Sequence, residues 1–175
     1  MQSWPASKYL LPSPLPTQPA PSHRAPPATE IIPRLFISDL CVAENATVLS
    51  SLGITHVLSV MPGFVALPTE LALRHAQVPV DDFPFAELVA HLSVTTAFLR
   101  EALRDPTARV LVHCIEGISR STSVVSAFLI AQYGLTPSQA VQYVKSRRKV
   151  ADPNSGFISQ LYEYAESIRQ SSMVS

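Results

Sequence analysis

The 175-residue chain carries no net charge at neutral pH, and 47% of its residues are hydrophobic, so it is long and apolar enough to form one folded domain. It has neither a basic excess nor an acidic run, and the sequence therefore predicts no binding to nucleic acid. It also has no run of about 18 apolar residues and no signal-peptide pattern, so we expect no membrane association and a cytoplasmic or nuclear location. Two cysteines, Cys41 and Cys114, are too few for a disulfide framework.

The N-terminal segment, residues 1–27, is rich in proline, with most of its prolines in the stretch PSPLPTQPAPSHRAPP. Proline removes a backbone donor and favours an extended polyproline conformation, so we expect this segment to be disordered. Pro16 and Pro19 form a P-x-x-P spacing that an SH3-type or WW-type partner could bind. We expect one folded domain over residues 28–170 and a short tail over residues 171–175.

Strand and helix patterns alternate after this segment. We expect two short strands around Pro33 within residues 29–39, a helix between residues 38 and 53, strands at 54–61, 73–80 and 108–114, and helices at 86–103, 120–133, 137–148 and 154–168. This order predicts a single α/β domain with a central, mostly parallel sheet flanked by helices. Ligands bind such sheets at the carboxyl ends of the strands.

The stretch VLVHCIEGISRS, residues 110–121, places a cysteine where the central strand ends. The polar residues after Cys114 cannot continue a buried strand, and apolar residues return at helical spacing from Val124. A strand, a tight loop and a helix start in this order aim backbone N–H groups and the positive end of a helix dipole at one point. The sequence therefore predicts an anion site at this loop.

The residue types in the loop suit a phosphate monoester. Gly117 permits the turn, Arg120 offers a planar fork to two phosphate oxygens, and their field favours the thiolate form of Cys114, which is the nucleophile. Ser121 can donate a hydrogen bond to the sulfur and can also cap the helix, and the two roles are compatible. The sequence has no nucleotide P-loop motif and no zinc-ligand spacing, so we expect no metal and no cofactor. The remaining predicted substrate-binding positions are Ile115, Glu116, Ile118 and Ser119.

HCIEGISRS resembles the signature loop of the dual-specificity branch of the cysteine-dependent protein tyrosine phosphatases, and the chain is similar to its small, atypical members over about residues 28–168. PRLFISD, VPVDDFP and ADPNSGF also carry the resemblance. It implies a metal-free protein phosphatase with a phosphocysteine on Cys114, phosphate bound by Arg120 and an aspartate as general acid. It further implies that His113 tunes the cysteine and that Asn154 braces the loop, although Asn154 is equally suited to cap a helix.

Two adjacent aspartates, Asp81 and Asp82, compete for the general-acid role. Both follow the strand HAQVPV, and adjacent residues of an extended chain point to opposite sides, so only one should face the site. Family members usually place this aspartate about thirty residues before the cysteine, which fits either, and the pattern VPVDDFP favours Asp82.

The loop also bears on the substrate. Glu116 would repel a polyphosphorylated ligand, so we expect a phosphorylated protein substrate, with the choice between phosphotyrosine and phosphoserine or phosphothreonine left open. The alternative is a non-catalytic phosphoprotein-binding module of the same fold. Candidates for the nucleophile, the arginine and the acid are all present, which favours an enzyme. We expect Cys41 to be a core residue, and we expect KSRRK, residues 145–149, to be a basic cluster at a helix end.

Overall fold

The computed structural model describes residues 27–173. Within this range the strands are β1 (Ala28–Ile32), β2 (Leu35–Ser38), β3 (His56–Val60), β4 (Arg74–Val78) and β5 (Val110–His113). The helices are α1 (Leu40–Ala43), α2 (Ala46–Leu52), α3 (Val89–Arg104), α4 (Arg120–Tyr133), α5 (Pro137–Arg147) and α6 (Ser155–Met173), and a 3-10 turn at Thr69–Leu71 precedes β4.

The five strands form one sheet in the order β1-β2-β5-β3-β4. Strands β2, β5, β3 and β4 run parallel, and only β1 at the edge is antiparallel to its neighbour. The prediction of a single α/β domain with a mostly parallel sheet is therefore confirmed. Because β5 lies in the centre, the residues that follow it emerge at the middle of the sheet edge where ligands bind.

The sheet is covered on both faces, which explains why β5 reads as a continuous apolar run. Val110 and Val112 face the core shared with α3, α4, α5 and α6, whereas Leu111 faces the core shared with α1 and α2. All three side chains are fully buried. This alternation of faces follows from the period-two geometry of a strand and holds β5 rigidly in place.

The segment before Gly53 differs from the prediction. Instead of one helix it forms α1 and α2, because the Asn45 side chain accepts a hydrogen bond from the Val48 N–H at 3.0 Å and starts a new helix. Gly53 ends α2 in the left-handed conformation, with φ of 64°. Cys41 is exposed, so the expectation that it lies in the core was wrong; Val42 and Ala43 are the α1 residues that face the sheet.

The last helix extends beyond the predicted residue 168. Helix α6 runs to Met173, so residues 171–173 belong to the last helix and are not part of a separate tail. The proline-rich segment, with Pro16 and Pro19, lies outside the described residues except for Pro27. Within residues 27–173, no helix combines the length and the hydropathy needed to cross a membrane.

Candidate active site

The candidate site is built around the Cys114 loop, residues 114–120, which joins β5 to α4 at the carboxyl edge of the sheet. The predicted order of central strand, loop and helix is therefore present. The loop lies where the central strand leaves the sheet and where the first turn of α4 presents its N–H groups.

The carbonyl oxygens of this loop are engaged by surrounding elements. The Ile115 oxygen accepts a hydrogen bond from the Leu40 N–H at 3.1 Å, and the Ile118 oxygen accepts one from the Asp152 N–H at 2.9 Å. The Gly117 oxygen accepts a hydrogen bond from the Arg148 guanidinium at 2.8 Å. Among the described residues, no protein acceptor is bonded to the backbone N–H groups of residues 115–119. The loop thus keeps a set of donors available for an anion.

Gly117 is required by the shape of the loop. Its φ is +67°, and a Cβ at this position would lie 2.4 Å from the backbone oxygen of Ser38. Any other residue would both strain the backbone and collide with the end of β2. The glycine therefore lets the loop fold tightly against the sheet.

Cys114 lies at the base of a small pocket. Its side chain is 1% exposed, and its Sγ lies 3.3 Å from the Oγ of the buried Ser121. The pocket has a volume of about 240 Å³, smaller than the roughly 300–1,000 Å³ of sites that enclose drug-sized ligands. It is lined by Asp82, Cys114, Ile115, Glu116, Ile118, Ser119 and Arg120, a set that contains most of the predicted site residues.

Arg120, the first residue of α4, is held in a fixed position at the pocket wall. It is only 7% exposed, and its guanidinium donates a hydrogen bond to the Val80 carbonyl at 3.2 Å. Its Nε lies 3.5 Å from Oδ2 of Asp82, an ion pair without a hydrogen bond. A buried arginine held in this way is organised for an anion before the anion arrives.

Asp82, and not Asp81, lines the pocket. Its Oδ1 accepts hydrogen bonds from the Ser119 hydroxyl at 2.7 Å and from the Asn154 amide at 2.8 Å. The other oxygen faces Arg120. The structure therefore brings Asp82 to the Cys114 loop and leaves Asp81 exposed outside it.

Asn154 links the acidic side of the pocket to the start of α6. Its amide nitrogen donates to Asp82, and its Oδ1 accepts a hydrogen bond from the Phe157 N–H at 2.9 Å, which caps α6. The start of α6 also packs tightly on the Asp82 segment, since a Cβ on Gly156 would lie 1.7 Å from the Pro84 oxygen. Helix α6 thereby positions the acidic side of the pocket.

His113 lies beneath the loop and is fully buried. Its Nδ1 lies 3.3 Å from the Cys114 carbonyl oxygen, and its Nε2 lies 2.6 Å from the Ser59 hydroxyl. Burial lowers the pKa of His113 to about 4, so the imidazole is neutral at physiological pH. His113 therefore acts on the loop through hydrogen bonds and carries no charge there.

Arg148 is a site residue that the sequence analysis missed. It was assigned to a basic cluster at a helix end, and it is fully buried, while Lys145 and Arg147 of the same cluster are exposed. Besides Gly117, its guanidinium donates to the Thr29 hydroxyl at 3.1 Å. Burial lowers the pKa of Arg148, and this effect is larger than the opposing effect of the charges on Asp39 and Cys114. The pattern KSRRK contains no signal that separates this arginine from its neighbours.

Larger clefts lie elsewhere on the described part of the molecule, and two of them have nearly equal volumes. One, of about 460 Å³, is lined by residues such as Thr55, His56 and Arg74 at the amino ends of β3 and β4. The other, of about 470 Å³, is lined by residues such as Pro33, Arg100 and Tyr133. Neither contains a cysteine, and no group of His, Cys, Asp or Glu among residues 27–173 could hold a metal ion.

Comparison with known proteins agrees with this geometry. The family model for the dual specificity phosphatase catalytic domain matches residues 35–167. The chain belongs to the dual specificity phosphatase family. Its similarity extends to the whole catalytic unit and is not limited to the signature loop. It is accordingly a dual specificity protein phosphatase, and members of this family act through a phosphocysteine intermediate.

Individual dual specificity phosphatases share this similarity. The chain is 38% identical to mouse dual specificity protein phosphatase 13B over 138 residues, covering 75% of this chain and 69% of that protein. It is 38% identical to human dual specificity phosphatase 28 over 156 residues, covering 87% and 86% respectively. A crystal structure of a mouse dual specificity phosphatase complexed with zinc tungstate is 34% identical, with a TM-score of 0.78 and coverage of 90% of this chain and 95% of that one.

The non-catalytic alternative gains no support from these findings. The signature cysteine is present as Cys114, and Arg120 and Asp82 lie with it around one pocket. The expected substrate class, phosphorylated protein, agrees with the family.

Proposed function

We propose that Cys114 is the nucleophile that attacks the phosphorus of a phosphorylated protein side chain. The sulfur forms a bond to phosphorus while the bond to the side-chain oxygen breaks, and water then hydrolyses the phosphocysteine to release inorganic phosphate. The observation that carries this proposal is the position of Cys114 at the base of a pocket bordered by N–H groups without protein acceptors and by Arg120.

Arg120 and the loop N–H groups bind the phosphate in this scheme. The three non-bridging oxygens carry the charge that develops during transfer, and donors already fixed in place stabilise it without reorganisation. The similar mouse phosphatase forms a complex with zinc tungstate, and tungstate is a tetrahedral oxyanion like phosphate. This likeness supports an oxyanion as the ligand of the Cys114 loop.

Asp82 is the proposed general acid. Because its Oδ1 already accepts two hydrogen bonds, Oδ2 carries the proton to the leaving group once the bound phosphate has replaced the Asp82 carboxylate as the partner of Arg120. The same oxygen then accepts a proton from the water that attacks the phosphocysteine. Asn154 and Ser119 position the carboxyl group, and His113 and Arg148 position the loop.

Ser121 has a separate role in the second step. Its hydroxyl, 3.3 Å from the Cys114 sulfur, donates a hydrogen bond to the thiolate as that sulfur leaves phosphorus. It lies on the first turn of α4, but its contact with the sulfur supports this role over helix capping alone.

The substrates we propose are proteins phosphorylated on tyrosine and on serine or threonine. The pocket is small and carries Glu116, which favours one phosphate over several. Phe83 and Phe85, which follow Asp82 directly, are 52% and 85% exposed and stack with ring centroids 5.3 Å apart. Exposed aromatic side chains beside the pocket suit contact with a protein surface.

Hydrolysis of an activated aryl phosphate in the presence of a chelator tests this proposal. We expect the wild-type chain to turn over, Cys114→Ser to be inactive, and Arg120→Lys to lose most activity because an ammonium cannot replace the planar fork. Cys41→Ser is the matched control, since it removes an exposed cysteine outside the site. Activity that requires added metal, or that survives in Cys114→Ser, contradicts the proposal.

For the whole chain we further propose a cytoplasmic or nuclear enzyme whose proline-rich segment, with Pro16 and Pro19, recruits an SH3-type or WW-type partner. The proline-rich composition of this segment supports binding to such a partner. Deletion of residues 1–27 should then leave turnover of a small substrate intact and abolish capture by such domains.

A further inference from the structure

Three polar side chains form a continuous hydrogen-bonded path from the protein surface to the Cys114 loop. They are His75 on β4, Ser59 on β3 and His113 at the end of β5, and we refer to them as the His75 path. The Ser59 hydroxyl lies 2.8 Å from Nε2 of His75 and 2.6 Å from Nε2 of His113. His75 is exposed, whereas Ser59 and His113 are fully buried.

The register of the sheet explains why these side chains meet. Ser59 pairs with His113 across β3 and β5, so their side chains lie on the same face. His75 pairs with Val57, which lies two residues before Ser59 and therefore on that face as well. The nearness of His75 to the loop depends on strand pairing, so no local sequence pattern indicates it.

The donor and acceptor capacities of these groups determine which atom donates in each hydrogen bond of the His75 path. The Cys114 carbonyl oxygen can only accept, so Nδ1 of His113 must carry the proton that it donates there. A neutral His113 then has no proton on Nε2, and the Ser59 hydroxyl must donate to it. The Ser59 oxygen in turn accepts from Nε2 of His75, which must carry a proton.

We propose that Ser59 and His75 are positioning residues for catalysis, and that they act by holding His113 as the neutral Nδ1–H tautomer. The Nδ1–H group orients the Cys114 carbonyl away from the phosphate pocket. The opposite tautomer would place a nitrogen lone pair against that carbonyl and disturb the loop.

Burial outweighs the charges around His113 and keeps its imidazole neutral. Asp39 and Glu44, which cap the two ends of α1, favour the protonated form of His113, and His75 disfavours that form. Burial is larger than these effects and lowers the pKa of His113 to about 4. A proton on Nε2 of His113 would also require Ser59 to reverse and donate to His75, which is impossible while His75 Nε2 carries its own proton.

Long-range nitrogen–proton NMR of the histidine side chains in the full chain tests the proposal without any substrate. We expect His113 as the Nδ1–H tautomer and His75 protonated on Nε2, with no titration of His113 between about pH 8 and about pH 6. A neutral His113 carrying its proton on Nε2 would overturn the proposal. This result is independent of whether the proposed function is correct.

Kinetics supply a second test, which rests on the proposed function. Ser59→Ala should lower kcat for an aryl phosphate by about tenfold to a hundredfold, because the buried Nε2 of His113 then lacks a donor. KM should change little, since Arg120 remains in place, and Ser59→Thr should recover most of the loss because it keeps the hydroxyl. His75→Phe should have a smaller effect on kcat but should raise the pKa of His113 in the NMR titration, since it removes an opposing positive charge.

The matched control is Ser126→Ala, which removes another fully buried serine hydroxyl, one without a hydrogen-bond partner among the described residues. Its kcat should equal that of the wild type. Equal losses in Ser59→Ala and Ser126→Ala, or no recovery in Ser59→Thr, would contradict the positioning role. Should Ser59→Ala fail to fold, the NMR measurement on the wild-type chain still shows whether His113 is the Nδ1–H tautomer that the proposal requires.

Discussion

At the scale of single residues, Asp81 and Asp82 show how the extended backbone separates two identical side chains. Asp82 reaches the pocket and accepts hydrogen bonds from Ser119 and Asn154, while Asp81 stays exposed. The sequence favoured Asp82 but left the choice open. The partners that hold Asp82 are 37 and 72 residues away along the chain, so no local pattern could identify them.

We predict that Asp82→Ala slows hydrolysis in a way that depends on the leaving group. A general acid contributes about 10²- to 10⁴-fold, and it matters most when the leaving oxygen is basic. On phosphopeptides kcat should therefore fall within this range, whereas on an activated aryl phosphate it should fall much less. KM should be nearly unchanged, because Arg120 and the loop N–H groups still bind the phosphate.

Asp81→Ala serves as the comparison in this experiment and should resemble the wild type on both substrates. If the leaving-group effect occurs in Asp81→Ala instead, the two roles are exchanged. An equal loss on both substrates in Asp82→Ala would show that Asp82 maintains the pocket but donates no proton.

At the scale of structural elements, the Cys114 loop depends on anchors from three directions. Leu40, Arg148 and Asp152 donate to its carbonyl oxygens, and these donors belong to α1, to the end of α5 and to the segment before α6. The predicted strand, loop and helix order was correct, since it depends on local polarity. Arg148 was misassigned because its burial comes from packing against a loop 31 residues earlier in the chain.

We predict that Gly117→Ala lowers both activity and stability. The new methyl group would meet the Ser38 backbone oxygen at 2.4 Å, and the positive φ of 67° would be strained. We expect a loss of roughly 1–3 kcal/mol in the free energy of unfolding, measured with urea, together with a large fall in kcat.

Gly134→Ala separates backbone strain from the collision with Ser38. Gly134 has nearly the same φ of +66°, and nothing lies within 4 Å of a new Cβ there. It should cost stability through backbone strain alone and leave kcat unchanged. If Gly117→Ala loses no more activity than Gly134→Ala, the tight contact with β2 is unimportant for the site.

At the scale of the whole molecule, the alternation of strands and helices was the most predictable property. The central strands β2, β3 and β5 are short, mostly apolar and buried on both faces, so their pattern is strong even where their ends shift by a few residues. The break between α1 and α2 was missed because a single capping side chain, that of Asn45, determines it. The exposure of Cys41 was missed for a related reason, since a helix of four residues offers too little periodicity to show which side faces the sheet.

We predict that the stability of the folded chain falls as pH decreases from about 6.5 toward about 4, in part because of His113. Its pKa is about 4 in the folded state and near 6.5 when unfolded, so the unfolded chain takes up the proton first. Stability therefore rises with pH across this window and is complete above it. The effect of this residue at about pH 5 is on the order of 2 kcal/mol.

Urea denaturation at about pH 7.5 and about pH 5 measures this effect in the wild type and in His113→Asn, which keeps an amide donor without a titrating ring. The variant should lose less stability between the two conditions, although it starts from a lower value. An equal loss in both proteins would show that His113 does not titrate differently in the folded and unfolded states.

The central claim, transfer of phosphate to Cys114, is tested most directly by trapping the phosphoenzyme. The full chain is mixed with a radiolabelled phosphoprotein, denatured in alkali within one turnover and digested to locate the label. We predict label on the peptide that contains Cys114, close to one phosphate per active chain, and none in Cys114→Ser. Turnover of the substrate with no label on Cys114, or label on another residue, would contradict the account.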